Sequence, residues 1–418
     1  MKNRVTVSLE TSGKGYLRVL SHPEVRKLFF ASLFSNLELA SYFAAIQIVV
    51  YSLIPNAFLL GVVSSMGALS ALAAPYTGYI VDYHKKKNLI LVARTGNLFI
   101  FVVLGVVVAL RFPLFYLVFV AIALAIQINN LIRGQALGPV YKSFLKENDA
   151  AVSYRSIQET AYWAVFAIMP VTIGLIITYY GDFIPFILVA AFVAPQVVLY
   201  SHIKFEEPAF EENRSLHFLT SIKESWGTLR ALTKKNPAYS LFVFLPVVHA
   251  FFTTANTVLI VALIYKFHNF ALSYGTIFSI GIVGNALGSL LAGALKIKKG
   301  LSIMLLFTLT FVLDIPVGID PTFWVMVIFL TLGGSLYFII STEFRGLEII
   351  LFPKEHYGRI QGLIGFLRGV STLTGTLIIT AFALWFPVRD VYLFSVVSLS
   401  VITALTLFNK RLRSSNIT

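Results

Sequence analysis

The stretch Gly78-Tyr79-Ile80-Val81-Asp82-Tyr83-His84-Lys85-Lys86-Lys87-Asn88 lies between two apolar runs, each long enough to cross a bilayer. It holds a glycine, an aspartate four positions later and three consecutive lysines. Charges this dense are costly in hydrocarbon, so the chain must leave the membrane here and turn straight back into it. The loop is a sharp reversal on one membrane face, and the rest of the chain is oriented from it.

Composition agrees with that reading. The 418 residues are 57% hydrophobic and 12% charged, with a mean hydropathy of +0.82. Soluble domains carry about 25% charged residues, which excludes an ordinary soluble enzyme. The formal net charge of +14 is not a nucleic-acid footprint, because the basic residues sit in short loops between apolar runs. Cysteine is absent, so no disulfide framework or thiolate metal site is available; no metal, cofactor or nucleic acid is expected. The first apolar run, from Leu28, is longer than the core of a cleaved signal and is read as a retained span.

A helical crossing needs about 20 apolar residues. Twelve segments qualify, at 28–53, 57–81, 88–110, 113–134, 156–180, 182–201, 238–265, 272–295, 300–319, 321–345, 359–386 and 390–408. They lack period-two alternation, so they are helices, which pair their backbone groups internally. An even number of crossings puts both termini on the face of Lys85–Lys87. Most of the 33 lysines and arginines fall on that same face, and only Arg111, Lys266 and Arg389 occupy loops opposite. The asymmetry predicts cytoplasmic termini for a multi-pass protein of the cell membrane.

The longest polar interval divides the spans six and six. The expected organisation is a cytoplasmic segment 1–27, a six-helix bundle 28–201, a linker 202–237, a second bundle 238–408 and a cytoplasmic tail 409–418. In the linker Leu219, Ile222, Trp226 and Leu229 recur at helical spacing, which suits a helix lying at the membrane surface or one simply covering the bundle. The halves also match in order: Pro113 with Pro321, Arg133-Gly134 with Arg345-Gly346, and Lys85–Lys87 with Lys296–Lys299. The fold class predicted is all-α and integral to the membrane, with twelve transmembrane helices in two pseudo-symmetric six-helix bundles. Such parallel repeats are a transporter architecture, with substrate between the halves.

With these features assembled, the chain resembles the major facilitator superfamily. Gly78, Asp82, Lys86 and Lys87 match the family's Gly-x-x-x-Asp…basic-basic loop between spans two and three. Gly358-Arg359-Ile360-Gln361-Gly362 looks, more weakly, like the macrolide and siderophore exporter branch. The antiporter signature Gly-Pro-x-x-Gly-Gly is only partly kept, at Met169-Pro170-Val171-Thr172-Ile173-Gly174. The resemblance implies a gate made by Gly78 and Asp82, in which the aspartate docks at the start of span eleven. Arg133, at the cytoplasmic end of span four, is its natural partner, while the lysines set topology.

Ionisable residues deep in a span are functional candidates, since burying one there costs about 2.5–3.5 kcal/mol. Glu38 in span one, His249 in span seven and Arg368 in span eleven qualify. They are the proton-coupling candidates, with Arg368 expected near Glu38; a static Glu–Arg pair holding two helices is the alternative. Tyr42 shares the face of Glu38, and Thr253 and Asn256 share that of His249. With Gln127 and Asn130 in span four, these are the substrate-cavity candidates, although packing explains such polar residues as readily. Asp314 is read as interfacial. Gly284, Gly288 and Ala292, and separately Gly365 and Gly369, form small faces for close helix packing.

No catalytic constellation is present. The expected function is secondary active transport of a small molecule by alternating access, coupled to protons, with efflux of small amphipathic compounds. The alternatives are a proton-coupled importer or symporter of a polar metabolite and, from another class, an intramembrane enzyme or sensor. Membrane lipids are the remaining partner, and the chain is expected to act as a monomer.

Overall fold

The structure, a computed structural model, describes residues 19–111, 114–144, 148–204, 218–235, 238–292, 300–351 and 357–408. After a short 3-10 turn at Val19–Ser21 come helices α1 (Pro23–Leu53), α2 (Ala57–Leu72), α3 (Ala74–Tyr83), α4 (Lys86–Ala109), α5 (Phe115–Phe144), α6 (Asn148–Tyr180) and α7 (Ile184–Ser201). Helix α8 (Phe218–Lys235) lies in the linker. It is followed by α9 (Ala238–Ile264), α10 (Phe270–Ala292), α11 (Gly300–Val312), α12 (Ile315–Ile319), α13 (Phe323–Leu351), α14 (Tyr357–Phe382) and α15 (Val388–Thr406). Among the described residues 11 helices are long and apolar enough to cross a membrane, and Ala57–Leu72 is a shorter apolar helix. The chain is an all-α, multi-pass membrane protein.

Two expected crossings are broken, each by a proline. The second is α2 followed by α3, interrupted at Ala73, with proline in the first turn of α3. Pro75 has no N–H to return to the preceding turn, and beside the break Gln135 Nε2 donates to the Ala74 carbonyl at 2.9 Å. The ninth is α11 followed by α12, interrupted at Leu313 and Asp314, again with proline in the first turn of the second piece. Elsewhere α6 ends on Gly181, whose φ of +94° is left-handed and suits glycine.

The described chain forms two compact units. One contains residues up to Ile46 and those from Ala73 through α7; the other contains Gln47–Leu72 and the helices from α8 onward. In the first unit Leu28, Val81, Ile90, Leu137, Tyr200 and Ile203 build a buried apolar cluster that joins α1, α3, α4, α5 and α7. The opposite face of α4 exposes Val92, Phe99, Val103 and Val106. An apolar outward face over a polar interior is what a lipid solvent selects.

The opening loop is built into this unit. His84, just past the end of α3, has its Nδ1 2.9 Å from the Ile80 carbonyl. Lys87 Nζ donates to the carbonyls of Ser201 at 2.7 Å and Ile203 at 3.0 Å, and Lys27 Nζ donates to His202 O at 2.9 Å. Unpaired carbonyls at a helix C-terminus attract cations. Thus Lys87, expected only to set topology, also fastens the end of α7. The surroundings of Gly78 and the side chain of Asp82 lie outside the described residues, as do the side chains of Arg359 and Gln361 and of residues 343–350, and Lys296–Lys299 altogether.

In the second unit glycines allow close helix contact. A β-carbon on Gly284 would stand 2.6 Å from Thr331 Cγ2, and one on Gly288 would collide with the Ser335 backbone; Ser335 Oγ meanwhile donates to Gly284 O at 2.9 Å. These contacts join α10 to α13. Gly375 does the same for α14 against Phe251 of α9, and Gly61 of α2 abuts Thr380 of α14. That last approach explains why α2 packs with the second unit. The two expected small faces divide: Gly369 lies 3.5 Å from Ala71 by the same measure, whereas Gly365 has no neighbouring atom within 4 Å.

Candidate functional site

The interior of the first unit is polar where four helices face one another. Glu38 projects from α1, Arg94 and Asn97 from successive turns of one face of α4, Asn129 and Asn130 from α5, and Gln196 from α7. Arg94 Nη1 pairs with Glu38 Oε2 at 2.7 Å. Gln196 Nε2 donates to the same oxygen at 2.8 Å, and Asn97 Nδ2 to Oε1 at 3.4 Å. The second guanidinium nitrogen, Nη2, donates to Asn130 Oδ1, and Asn129 Nδ2 donates to Asn97 Oδ1 at 2.8 Å. Glu38 is 2% exposed, and Arg94, Asn97 and Gln196 are at 0%, so the ion pair is sealed from its surroundings, while Asn129 and Asn130 at the edge of the network are half-buried.

Such a pair is not justified by stability alone, because desolvating two charges rivals their attraction. Here both charges are also hydrogen-bonded, except that Arg94 Nε has no partner among the described residues. The arrangement has spare connections: Arg94 Nη1 also lies 3.4 Å from Gln196 Oε1. If Glu38 were neutralised, the guanidinium would still be held by Asn130 and Gln196. Chemically this is a carboxylate with a charge partner that can be retained without it.

From the sequence, Arg368 is the expected balance for Glu38. The partner is Arg94, which is on α4 of the same unit, while Arg368 belongs to the second unit. Arg94, Asn97 and Gln196 were missed. The available signal was an arginine well inside the third span with an asparagine one helical turn beyond it. Asn130 joins the network as expected, while Gln127 is half-buried and has no part in the network bonds described above. Tyr42 is buried and packs edge-on against Phe101, with ring centroids 5.4 Å apart, so it is an aromatic contact of the bundle. Arg133 donates to Ser35 Oγ, one turn from Glu38 on α1.

In the second unit His249 stacks on Tyr337, with centroids 4.4 Å apart and rings 16° from parallel. Its Nε2 is 2.9 Å from Thr253 Oγ1 and its Nδ1 is 3.4 Å from Tyr337 OH. Thr253 Oγ1 also donates to the His249 carbonyl at 2.6 Å. A neutral imidazole satisfies all of this, donating through Nε2 and accepting the phenol at Nδ1. Arg368 is exposed and within electrostatic range of the ring. Asn256, expected on the same face, instead accepts from Ser395 Oγ at 2.6 Å and ties α9 to α15; Thr257 continues the line of His249 and Thr253 along a cavity wall. Among the described residues no group of three or more His, Asp or Glu is gathered as for a metal.

The sequence matches the model of a protein family described as the Major Facilitator Superfamily over residues 28–376. Among solved structures, the nucleoside transporter NupG superposes with a TM-score of 0.70 at 14% identity, covering 92% of this chain and 98% of that one. A POT family transporter in complex with 5-aminolevulinic acid gives 0.70 at 12% identity, over 94% and 96%. A bacterial homologue of the iron transporter ferroportin, in an inward-facing state, gives 0.67 at 12%, over 92% and 99%. At these identities the likeness speaks for the fold. A search of curated protein sequences found no significant match.

Proposed function

This chain belongs to the Major Facilitator Superfamily and is a secondary membrane transporter; on that premise we propose that it exchanges a proton at Glu38 while exporting small amphipathic compounds by alternating access. The observation that carries the reading is the sealed Glu38–Arg94 pair at 2.7 Å. Intramembrane ionisable groups that face a bundle interior are the usual material of proton relays. In this reading a proton arriving on Glu38 cancels its attraction for Arg94. The guanidinium then rests on Asn130 and Gln196, and α1 is released from its charge link to α4 and α7. Loss of the proton restores the link. Arg94 takes the modulating role that the sequence suggested for Arg368. His249 and Arg368 are proposed as substrate contacts, Thr253 lines the way to them, and Gly78, Asp82 and Arg133 form the cytoplasmic gate.

The test is transport in proteoliposomes with an imposed pH gradient, wild type against Glu38→Gln. The variant is expected to lose gradient-driven transport while retaining substrate exchange; undiminished coupling would sink the proposal and leave the pair a brace between helices. The amide-rich surroundings of Glu38 favour a second reading, proton-coupled import of a polar metabolite. Transport measured in vesicles of both orientations separates the two. The lysine-rich loops support a cell-membrane protein with both termini cytoplasmic.

A further inference from the structure

Within the second unit a cavity of about 280 Å³ opens among α9, α10, α11 and α13. It reaches from His249 and Thr253 to Asp314, which stands at the break between α11 and α12. This break frees main-chain oxygen. The amide of Asp314 donates to Phe311 O at 3.1 Å rather than to the Thr310 carbonyl that a continuous helix would give it. Facing the break, Gly333 and Gly334 of α13 leave room that a side chain would take. A β-carbon on Gly333 would meet Asp314 Oδ1 at 3.0 Å and Thr310 O at 3.3 Å, and one on Gly334 would run into Asn285 Oδ1. Asp314 Oδ1 and Thr310 O thus stand side by side against Gly333, with Asn285 Oδ1 against the next glycine, and all three residues line one cavity.

The carboxylate has no ion-pair partner among the described residues. Arg368 is not part of the cavity wall, and His249 has both ring nitrogens beside hydroxyls. Nearby, Tyr392 is wholly buried, within electrostatic range of Asp314, and its hydroxyl has no partner among the described residues. A carboxylate inside a membrane bundle is costly unless it takes up a proton or a cation comes to it. The remaining walls are aromatic and aliphatic, with Phe278, Phe311, Phe338 and Ile282 among them. The volume is the share of roughly nine waters and close to the small-molecule range of about 300–1,000 Å³. A bare metal ion would leave most of it unfilled.

We infer that this cavity binds a small organic ammonium ion: its N–H groups on Asp314, Thr310 O and Asn285, and its apolar body against the aromatic wall. The inference rests on the reading of the chain as a transporter of small amphipathic compounds and narrows that class to cations. Ammonium over an aromatic face adds attraction, and the neutral oxygens orient the donors.

Titration of the purified full chain with benzylammonium, benzyl alcohol and sodium chloride, followed calorimetrically, tests it. Benzylammonium is expected to bind saturably. Benzyl alcohol binding to wild type, and benzylammonium binding to Asp314→Asn, should be weaker by about 10- to 100-fold, the usual worth of a hydrogen bond to a charged group. Asp314→Glu keeps the charge and should recover part of the affinity, which a folding defect in the asparagine variant would not explain. Equal affinity for the alcohol, undiminished ammonium binding by Asp314→Asn, or an Asp314-dependent response to sodium alone would each overturn it. Failure here leaves Glu38 coupling untouched, because that is read from gradient-driven flux. Loss of coupling evidence leaves this binding equilibrium standing.

Discussion

Deleting the Arg94 side chain strands Glu38 in a sealed interior with only amides for company. Removal of one partner from a buried pair typically costs about 3–5 kcal/mol, whereas removing both together is often nearly neutral. Arg94→Met is therefore expected to lower the unfolding temperature in detergent markedly, and Glu38→Gln with Arg94→Met to recover most of the loss. A double variant as unstable as the single one would mean that the guanidinium matters by its packing and not by its charge. At this scale the sequence was partly legible. Glu38 stood out because a carboxylate deep in an apolar run has no neighbours to excuse it. Its partner did not, because pairing joins residues 56 positions apart, and no periodicity within one helix reports which face meets which. Asp314 was half legible for a related reason: its place toward the end of span nine could be counted, but not that the helix break sets it on a cavity wall.

Helices pack here by how closely their backbones can approach, and two glycines on different helices separate the cases. Gly288 has the Ser335 backbone where its β-carbon would be, while Gly365 faces open space. Gly288→Ala should destabilise α10 against α13, by about 1–3 kcal/mol if it behaves as ordinary overpacking. Gly365→Ala should be neutral or stabilising by up to about 1 kcal/mol, the helix-propensity difference. Thermal unfolding of the two variants checks this, and equal effects would refute it. Both had looked alike in sequence, since a small-xxx-small pattern marks where closeness is permitted and not whether a neighbour uses it. Element positions were far more legible: apolar runs bounded by charges gave most crossings within a few residues, except that α5 runs on through Arg133 to Phe144, α6 starts earlier at Asn148 and α13 runs on to Leu351. The two proline breaks escaped notice because average hydropathy is blind to a missing N–H.

For the molecule as a whole, orientation is the property most open to test. The chain has no cysteine, so a single introduced thiol reports unambiguously. Lys85 and Lys266 are both exposed and are expected on opposite faces. In intact cells an impermeant maleimide should label Lys266→Cys and should reach Lys85→Cys only after permeabilisation. The reverse pattern would invert the topology argued from the lysine distribution.

The sealed ion pair has a consequence for how the protein is made. The most apolar 18-residue window of helix α4 has a mean hydropathy of 2.2, ample for insertion, yet the helix carries a guanidinium into the bilayer. Presented alone, that charge opposes entry by about 2.5–3.5 kcal/mol if it reaches the helix centre's environment. Helix α1 leaves the ribosome earlier and already holds the carboxylate that cancels it. The order of synthesis thus delivers the acid before the base, so the first crossing can meet the charge of the third as it arrives.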